Sequence, residues 1–251
     1  MARRSVIYAA NWKMNHGPGA ARAFAERFLA TTRPAEGREL WFFPPAVSLH
    51  ALAEAFGSRR DVRVGSQNVH WEAKGAFTGE LSIPMVAEAG ARMTLVGHSE
   101  RRHLFGETDE QVGRKVAAAL KAGILPLMCV GETLAEREGG RTEQVVLRQV
   151  DIVLERVPPP DWANVAIAYE PVWAIGTGKN ATPDDAAQVH ELIRFALSRR
   201  GVKDHVPILY GGSVNTGNVL ALLERPELDG VLVGGASLDP DAWAELVGLG
   251  G

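Results

Sequence analysis

Polar residues and glycines gather in a few short segments of the sequence, each of which follows a short apolar run. Carboxylates, an imidazole and lysines in these segments could exchange protons, and the glycines would let a phosphate approach the backbone. The segments are residues 11–15, 97–102, 169–179, 211–213 and 234–237. Such residue types indicate acid–base chemistry on a small anionic molecule, with groups contributed by several parts of the chain.

Glu170 is the candidate general base. It follows the apolar run that ends at Tyr169, and it precedes a glycine-containing loop in which Trp173 and Ile175 are apolar. Loss of water beside such residues would make the carboxylate a stronger base. An exposed loop carboxylate is the other interpretation of a lone glutamate. General base catalysis supplies only ~10²–10⁴-fold, so this base needs a partner that stabilises negative charge on a substrate oxygen.

His98 is the candidate for that partner. The residues from Ser99 onward are typical of the first turn of a helix, and the positive end of a helix dipole disfavours a charged imidazole. A neutral ring could donate a hydrogen bond to a substrate oxygen, and loss of such a donor from a dry site costs about 3–4 kcal/mol. A purely structural histidine is the alternative that the residue alone leaves open.

Further candidates could bind an anion. Asn11 and Lys13 follow the first apolar run, and the residue alone indicates that Lys13 is a solvated surface charge. Ser213 and the pair Gly234 and Gly235 follow later apolar runs. Glycine lets a phosphate approach backbone N–H groups closely, which favours a phosphate cradle, although ordinary turns also use these residues.

The elements that carry these groups alternate regularly along the chain. Short apolar runs without polar alternation indicate strands that are covered on both faces, and helical patterns separate them. One helix shows clear boundary signals, with Thr182 as N-cap, Pro183 in the first turn and Gly201 at its end. The predicted strands are residues 6–10, 39–43, 61–65, 93–97, 124–130, 165–169, 206–210 and 230–234.

Eight strand–helix units without a linker predict a single (β/α)8 barrel domain over residues 1–251. A doubly wound open sheet is the competing fold, but it seldom spreads polar motifs over so many strand ends. In a barrel the carboxyl ends of all strands meet on one face, and phosphate commonly binds after the seventh and eighth strands. The barrel would therefore bring the polar segments into one site.

The polar segments resemble the signature segments of the triosephosphate isomerase family, in the order of that family, and the similarity covers essentially the whole chain. The resemblance implies a cofactor-free (β/α)8 enzyme that interconverts dihydroxyacetone phosphate and D-glyceraldehyde 3-phosphate through an enediol, in glycolysis and gluconeogenesis. Ala10 replaces a usual glycine of the family, and His16 occupies a variable place. The segments that carry the resemblance are residues 11–15, 97–102, 168–179, 210–214 and 229–238.

The resemblance also implies a role for each candidate residue. Glu170 takes a carbon-bound proton next to the carbonyl and returns it to the neighbouring carbon, while His98 acts as the electrophile. Asn11 and Lys13 lie near the substrate. Glu100 is similar to a second carboxylate of the family, which lies near the lysine and supports the site.

Two loops gain roles from the resemblance. Residues 173–179 look like a closing lid that keeps water from the enediol phosphate, and Gly176 within them resembles a further phosphate contact. The segment from Ser66 to Gly79 lacks periodicity, and a loop of that length in a compact domain is usually functional. It is either a surface excursion or an arm that docks into a second copy of the chain, where Thr78 would reach the neighbouring site.

Composition and motifs exclude several other classes of function. A net charge of −3 without runs of like charge disfavours nucleic acid and anionic membranes as partners. The single cysteine, Cys129, fits a reducing compartment, and no apolar stretch approaches the ~20 residues of a membrane span, so the cytoplasm is the expected location. We predict no metal, because His98 and His103 lack a metal-ligand spacing, and Lys179 lacks the following Ser or Thr of a Walker A loop.

Two other functions stay open at this point. A Schiff-base enzyme of the aldolase type would use Lys13 as its nucleophile, and borohydride would then trap the substrate on the protein. Isomerisation through an enediol predicts no such trapping. A catalytically dead phosphate-binding or scaffolding barrel would most simply lack Glu170, His98 or Lys13, and all three are present.

Overall fold

The structure, a computed structural model, describes residues 5–57, 59–175 and 181–250. In this part of the chain eight parallel strands pair in chain order, and the eighth pairs with the first, which closes a barrel. The strands are β1 (Val6–Asn11), β2 (Arg38–Phe43), β3 (Val62–Ser66), β4 (Met93–Val96), β5 (Leu125–Val130), β6 (Ala166–Tyr169), β7 (Ile208–Tyr210) and β8 (Gly230–Val233).

Helices connect successive strands and cover the outside of the barrel. None of the helices among the described residues is both long and apolar enough to cross a membrane. Turns of 3-10 helix occur at Pro159–Asn164, Val172–Ala174 and Gly235–Ser237. The α-helices are α1 (Pro18–Thr31), α2 (Ala46–Ala55), α3 (Ile83–Glu88), α4 (Ser99–Phe105), α5 (Asp109–Lys121), α6 (Leu134–Glu138), α7 (Thr142–Leu154), α8 (Pro183–Arg199), α9 (Val219–Leu223) and α10 (Pro240–Gly248).

The strands are buried on both faces, which explains their lack of polar alternation. Ile7 and Ala9 of β1 pack together with Trp41 of β2 in a cluster that draws alternate residues from the strands and fills the barrel interior. Tyr8, between them, belongs to the larger cluster that includes the buried faces of the helices. Side chains of one strand therefore alternate between the barrel interior and the layer under the helices.

The predicted barrel is confirmed, and the open sheet is excluded because Ile7 of β1 pairs with Gly230 of β8. A Cβ atom at Gly230 would lie 2.0 Å from the carbonyl oxygen of Ile7, so only glycine fits where the barrel closes. Every predicted strand is present, with ends that shift by a residue or two. Strand β7 begins at Ile208 because Pro207 has no N–H to donate, although its carbonyl accepts from Ile167 at 2.9 Å.

Helix α8 has the predicted boundaries. The side chain of Thr182 accepts a hydrogen bond from the N–H of Asp185, and the Asp185 carboxylate accepts one from the N–H of Thr182. Gly201, which follows the helix, has a φ of 84°. The buried face of α8 includes His190, whose ring packs edge-on against Tyr169.

The segment from Ser66 to Gly79 is irregular, as predicted. Apart from one bridge between His70 and Ser82, its described residues beyond β3 form neither helix nor strand. The ring of His70 lies between those of Trp71 and Phe77, with centroid distances of 4.1 and 4.2 Å. The segment is therefore held by its own aromatic residues while most of it stays exposed.

His190 gives the fold a testable pH dependence. Burial lowers its pKa to about 3, because a charged ring would lose its hydration. In the unfolded chain the pKa of histidine is about 6.5. Between these values the unfolded chain binds one more proton than the folded chain, so the stability present above pH 6.5 is lost as the pH falls.

We therefore expect the free energy of unfolding, measured in urea, to be lower at pH 5 than at pH 7. This decrease should be about 2 kcal/mol larger for the wild type than for His190→Leu. His50 is exposed on α2, and His50→Gln should keep the wild-type pH dependence. The same pH dependence in the wild type and in His190→Leu would contradict a buried neutral imidazole.

Candidate active site

A cavity of about 340 Å³ opens at the carboxyl ends of the strands, a volume of the order that holds a small ligand. Groups that follow β1, β4, β6, β7 and β8 line it, as expected where the ends of parallel strands share a face. Gly176 and most of the predicted lid lie outside the described residues. The predicted site residues that line the cavity are Asn11, Lys13, His98, Glu170, Ser213, Gly234 and Gly235.

Glu170 follows β6 with its carboxylate turned into the protein, where its side chain is 3% exposed. Oε2 accepts a hydrogen bond from the backbone N–H of Ser99 at 2.9 Å, and Oε1 lies 3.2 Å from Nε2 of His98. The N–H of Ser99 belongs to the first turn of α4, where the helix dipole favours a negative charge. Donors of the protein therefore stabilise the ionised carboxylate in place of water.

His98 immediately precedes α4, and the helix begins at Ser99 as predicted. Nδ1 of His98 accepts a hydrogen bond from the backbone N–H of Glu100 at 3.3 Å, so this nitrogen carries no proton. The neutral ring must then carry its proton on Nε2, the nitrogen that faces Glu170. The hydrogen-bond network thus leaves His98 with one N–H donor, which faces the carboxylate of Glu170.

Lys13 has a left-handed backbone with a φ of 49°, which costs a non-glycine residue roughly 1–2 kcal/mol. Two side chains hold this turn. Oδ1 of Asn11 accepts from the N–H of Lys13 at 3.0 Å, and the amide of Gln67 donates to the carbonyl of Lys13 at 2.8 Å. Nζ lies 2.6 Å from Oε1 of Glu100, so the strained turn and one carboxylate together set the position of the ammonium.

The turns after β7 and β8 present their backbone to the same cavity. A Cβ atom at Gly234 would lie 3.5 Å from Cε of Lys13, and one at Gly235 would meet no described atom within 4 Å. Ser213 lines the cavity from the turn after β7. The open backbone at Gly235 and the adjacent lysine make this end of the cavity suitable for an anion.

Two glycines hold Glu170 in a way that the sequence pattern did not identify. A Cβ atom at Gly131 would lie 1.8 Å from the carbonyl oxygen of Glu170, and one at Gly211 would lie 2.8 Å from its Cγ. Gly211 belongs to the turn after β7, yet its close contact is with the side chain of Glu170. A side chain at either glycine would displace Glu170, since a packed interior leaves no room for it.

Glu132 is a further buried carboxylate that sequence analysis did not single out. It accepts hydrogen bonds from the hydroxyl of Tyr169 at 3.1 Å and from Nε1 of Trp173 at 2.9 Å. Burial and the adjacent Glu132 charge raise the pKa of Tyr169, so its hydroxyl stays protonated and donates. Of the two apolar residues expected beside the base, Ile175 lines the cavity, whereas Trp173 is anchored to Glu132.

Cys129 lies in the barrel interior and is a free, buried thiol. Burial, together with the nearby Glu170 carboxylate, raises its pKa well above the ordinary value. The thiol therefore stays protonated and is a poor nucleophile. Within the described residues, no group of three or more His, Cys, Asp or Glu side chains could hold a metal ion.

The chain is similar to known proteins over nearly its whole length. The profile of the family described as triosephosphate isomerase matches residues 6–249. A triosephosphate isomerase of Solibacter usitatus is 47% identical over 247 residues, which cover 97% of this chain and 99% of that protein. A triosephosphate isomerase of a Synechocystis species is 46% identical, with 97% and 98% covered. One of Aquifex aeolicus is 45% identical, with 96% and 98% covered.

Proposed function

This chain belongs to the triosephosphate isomerase family, and we propose that Glu170 is the base that moves the proton in its reaction. That reaction interconverts dihydroxyacetone phosphate and D-glyceraldehyde 3-phosphate through an enediol, a step of glycolysis and gluconeogenesis. One observation carries the proposal. The carboxylate of Glu170 and Nε2 of His98 lie 3.2 Å apart at a cavity that Lys13 also lines, so a base, a neutral donor and a cation face one small volume.

The base must change its hydrogen bonds in order to act. Both carboxylate oxygens of Glu170 face donors of the protein in this arrangement, Oε2 the N–H of Ser99 and Oε1 the Nε2 of His98. When the carboxylate leaves the N–H of Ser99, it faces a cavity from which the substrate displaces water. It then takes the proton from the carbon next to the carbonyl, which leaves an enediolate, and returns it to the neighbouring carbon.

The enediolate carries negative charge on oxygen, which needs a donor that is already in place. Nε2–H of His98 is such a donor, because Nδ1 is fixed as an acceptor by the N–H of Glu100. We assign the amide of Asn11 and the ammonium of Lys13 to the same oxygen end of the substrate, with Glu100 holding the ammonium at 2.6 Å. A preorganised donor in a dry site contributes roughly 3–4 kcal/mol to catalysis.

We assign the phosphate to the turns after β7 and β8. Ser213, Gly234 and Gly235 supply backbone N–H groups, and Lys13 lies against Gly234, where it offsets part of the dianion's charge. Gly176 is a further proposed contact that rests on the family resemblance alone. Phosphate binding is remote from the reacting carbons, and its energy is used to orient them against Glu170.

The geometry disfavours the Schiff-base alternative. Nζ of Lys13 lies 2.6 Å from a carboxylate oxygen of Glu100. Attack on a substrate carbonyl would require Nζ to leave this ion pair. Borohydride in the presence of substrate should therefore leave the mass of the protein unchanged.

Replacement of the base tests the assignment directly. In Glu170→Gln we expect kcat/KM for D-glyceraldehyde 3-phosphate to fall by about 10²–10⁴-fold, because the amide cannot accept the carbon-bound proton. Formation of dihydroxyacetone phosphate is measured by coupling to glycerol-phosphate dehydrogenase. The matched control is Glu191→Gln, at an exposed glutamate of α8, which should keep wild-type activity. Near-normal turnover in Glu170→Gln would mean that another residue is the base.

We infer that the enzyme is a homodimer formed through the segment from Ser66 to Gly79. Phe77 in this segment and Met14 beside Lys13 are 44% and 95% exposed, and Phe105 at the end of α4 is 70% exposed. Lys13, Met14 and Phe105 border one surface pocket next to the candidate active site. Apolar side chains concentrated there suit burial by a second copy, whose Thr78 would reach the neighbouring site.

A substitution that introduces a charged residue into that surface tests the oligomeric state. In size-exclusion chromatography with light scattering, we expect the wild type to have about twice the 27.0 kDa mass of one chain. At micromolar concentration, Phe105→Asp should have the mass of one chain, because the charge would be buried in the interface. Phe195 on α8 is 62% exposed, and Phe195→Asp should stay dimeric. A wild-type protein that elutes as a single chain would contradict the dimer.

We also infer a cytoplasmic location. Cys129 is the only cysteine of the chain and is a free thiol, which suits a compartment that keeps thiols reduced. The substrates are phosphorylated trioses of glycolysis, which supports a location where that pathway runs. Fractionation of cells with activity in the cytoplasmic fraction would support this location.

A further inference from the structure

His16 has a backbone conformation that few side chains adopt. Its φ is 66°, and among the described non-glycine residues only Lys13 and His16 have a positive φ. Both lie in the loop that follows β1. Histidine tolerates the left-handed region better than most residues, but the conformation persists only where the surroundings hold it.

Contacts with several described residues hold His16. Its Nε2 lies 2.9 Å from the carbonyl oxygen of Leu238, and its ring packs edge-on against the indole of Trp12 with a centroid distance of 4.7 Å. The hydroxyl of Ser48, which is buried on α2, donates to the carbonyl of His16 at 2.6 Å. Because a carbonyl oxygen can only accept, Nε2 of His16 carries a proton and donates it to Leu238.

Leu238 ends the turn that carries the proposed phosphate donors. The N–H of Leu238 donates to the carbonyl of Gly235 at 3.2 Å, so the two ends of this turn are linked. Nε1 of Trp12 donates to the carbonyl of Ser237 at 3.2 Å. The loop after β1 therefore reaches this turn through the side chains of both Trp12 and His16.

We propose that His16 is a positioning residue for phosphate binding, which fixes the turn of residues 234–238 relative to Lys13. Its hydrogen bond joins the loop that holds the ammonium to the turn that holds the backbone donors. Glycine at this position would adopt the same backbone without strain, but it would have no ring to reach Leu238. The inference rests on the proposed role of Gly234 and Gly235 in phosphate binding.

His16→Gly tests the link, because it removes the donor and keeps the left-handed backbone accessible. We expect KM for D-glyceraldehyde 3-phosphate and the inhibition constant of inorganic phosphate to rise together by about threefold to tenfold, the factor for one net hydrogen bond. The change in kcat should stay within about twofold. For D-glyceraldehyde, which lacks the phosphate, kcat/KM should stay within about twofold as well. His50→Gln is the control and should match the wild type.

A purely structural role would lower the melting temperature of His16→Gly and leave KM and the phosphate inhibition constant unchanged, and that result would overturn the inference. If His16→Gly does not fold, Ser48→Ala removes the hydroxyl that holds the carbonyl of His16 and should raise both constants. Unchanged constants in that variant would equally overturn it. A wild-type enzyme that turns over substrate but is not inhibited by phosphate would instead contradict the proposed phosphate site.

Discussion

The hydrogen bond from the backbone N–H of Ser99 to the carboxylate of Glu170 joins two parts of the barrel that are far apart in sequence. It connects the start of α4 with the end of β6, and the same two segments place Nε2 of His98 3.2 Å from the carboxylate. A buried carboxylate requires such donors, because an unpaired buried charge is costly. The positions of the proposed base and electrophile are therefore set together, and the proposed proton transfer depends on that contact.

The barrel permits this contact because it brings the backbone of neighbouring strands very close to Glu170. Strand β6 lies in register between β5 and β7, with Tyr169 beside Val130 and Tyr210. The glycines that follow those two neighbours leave just enough room for the backbone and the Cγ of Glu170. Packing this tight fixes the backbone and the Cγ atom of Glu170.

Much of this could be predicted from the sequence, because a buried parallel strand has a recognisable apolar run and the groups at strand ends share one face. That rule located Glu170 and His98. It could also have drawn attention to Glu132, which follows β5, but not to its bond with Trp173, 41 residues along the chain. The link from His16 spans 222 residues and exists only because the barrel closes. Strand-end chemistry indicates a base and a phosphate site, whereas the triose itself follows from family membership.

In the proposed mechanism, hydrogen moves between the two carbons as a proton that Glu170 carries. Conversion of D-glyceraldehyde 3-phosphate in D₂O, stopped early and analysed by proton NMR, measures this transfer in the wild-type enzyme. We expect deuterium at C1 in part of the dihydroxyacetone phosphate, because the carboxylic acid formed on Glu170 exchanges with solvent before it returns its proton. Product without any deuterium is the result expected of direct hydride transfer between the carbons, and it would contradict proton transfer through a carboxylic acid that exchanges with solvent.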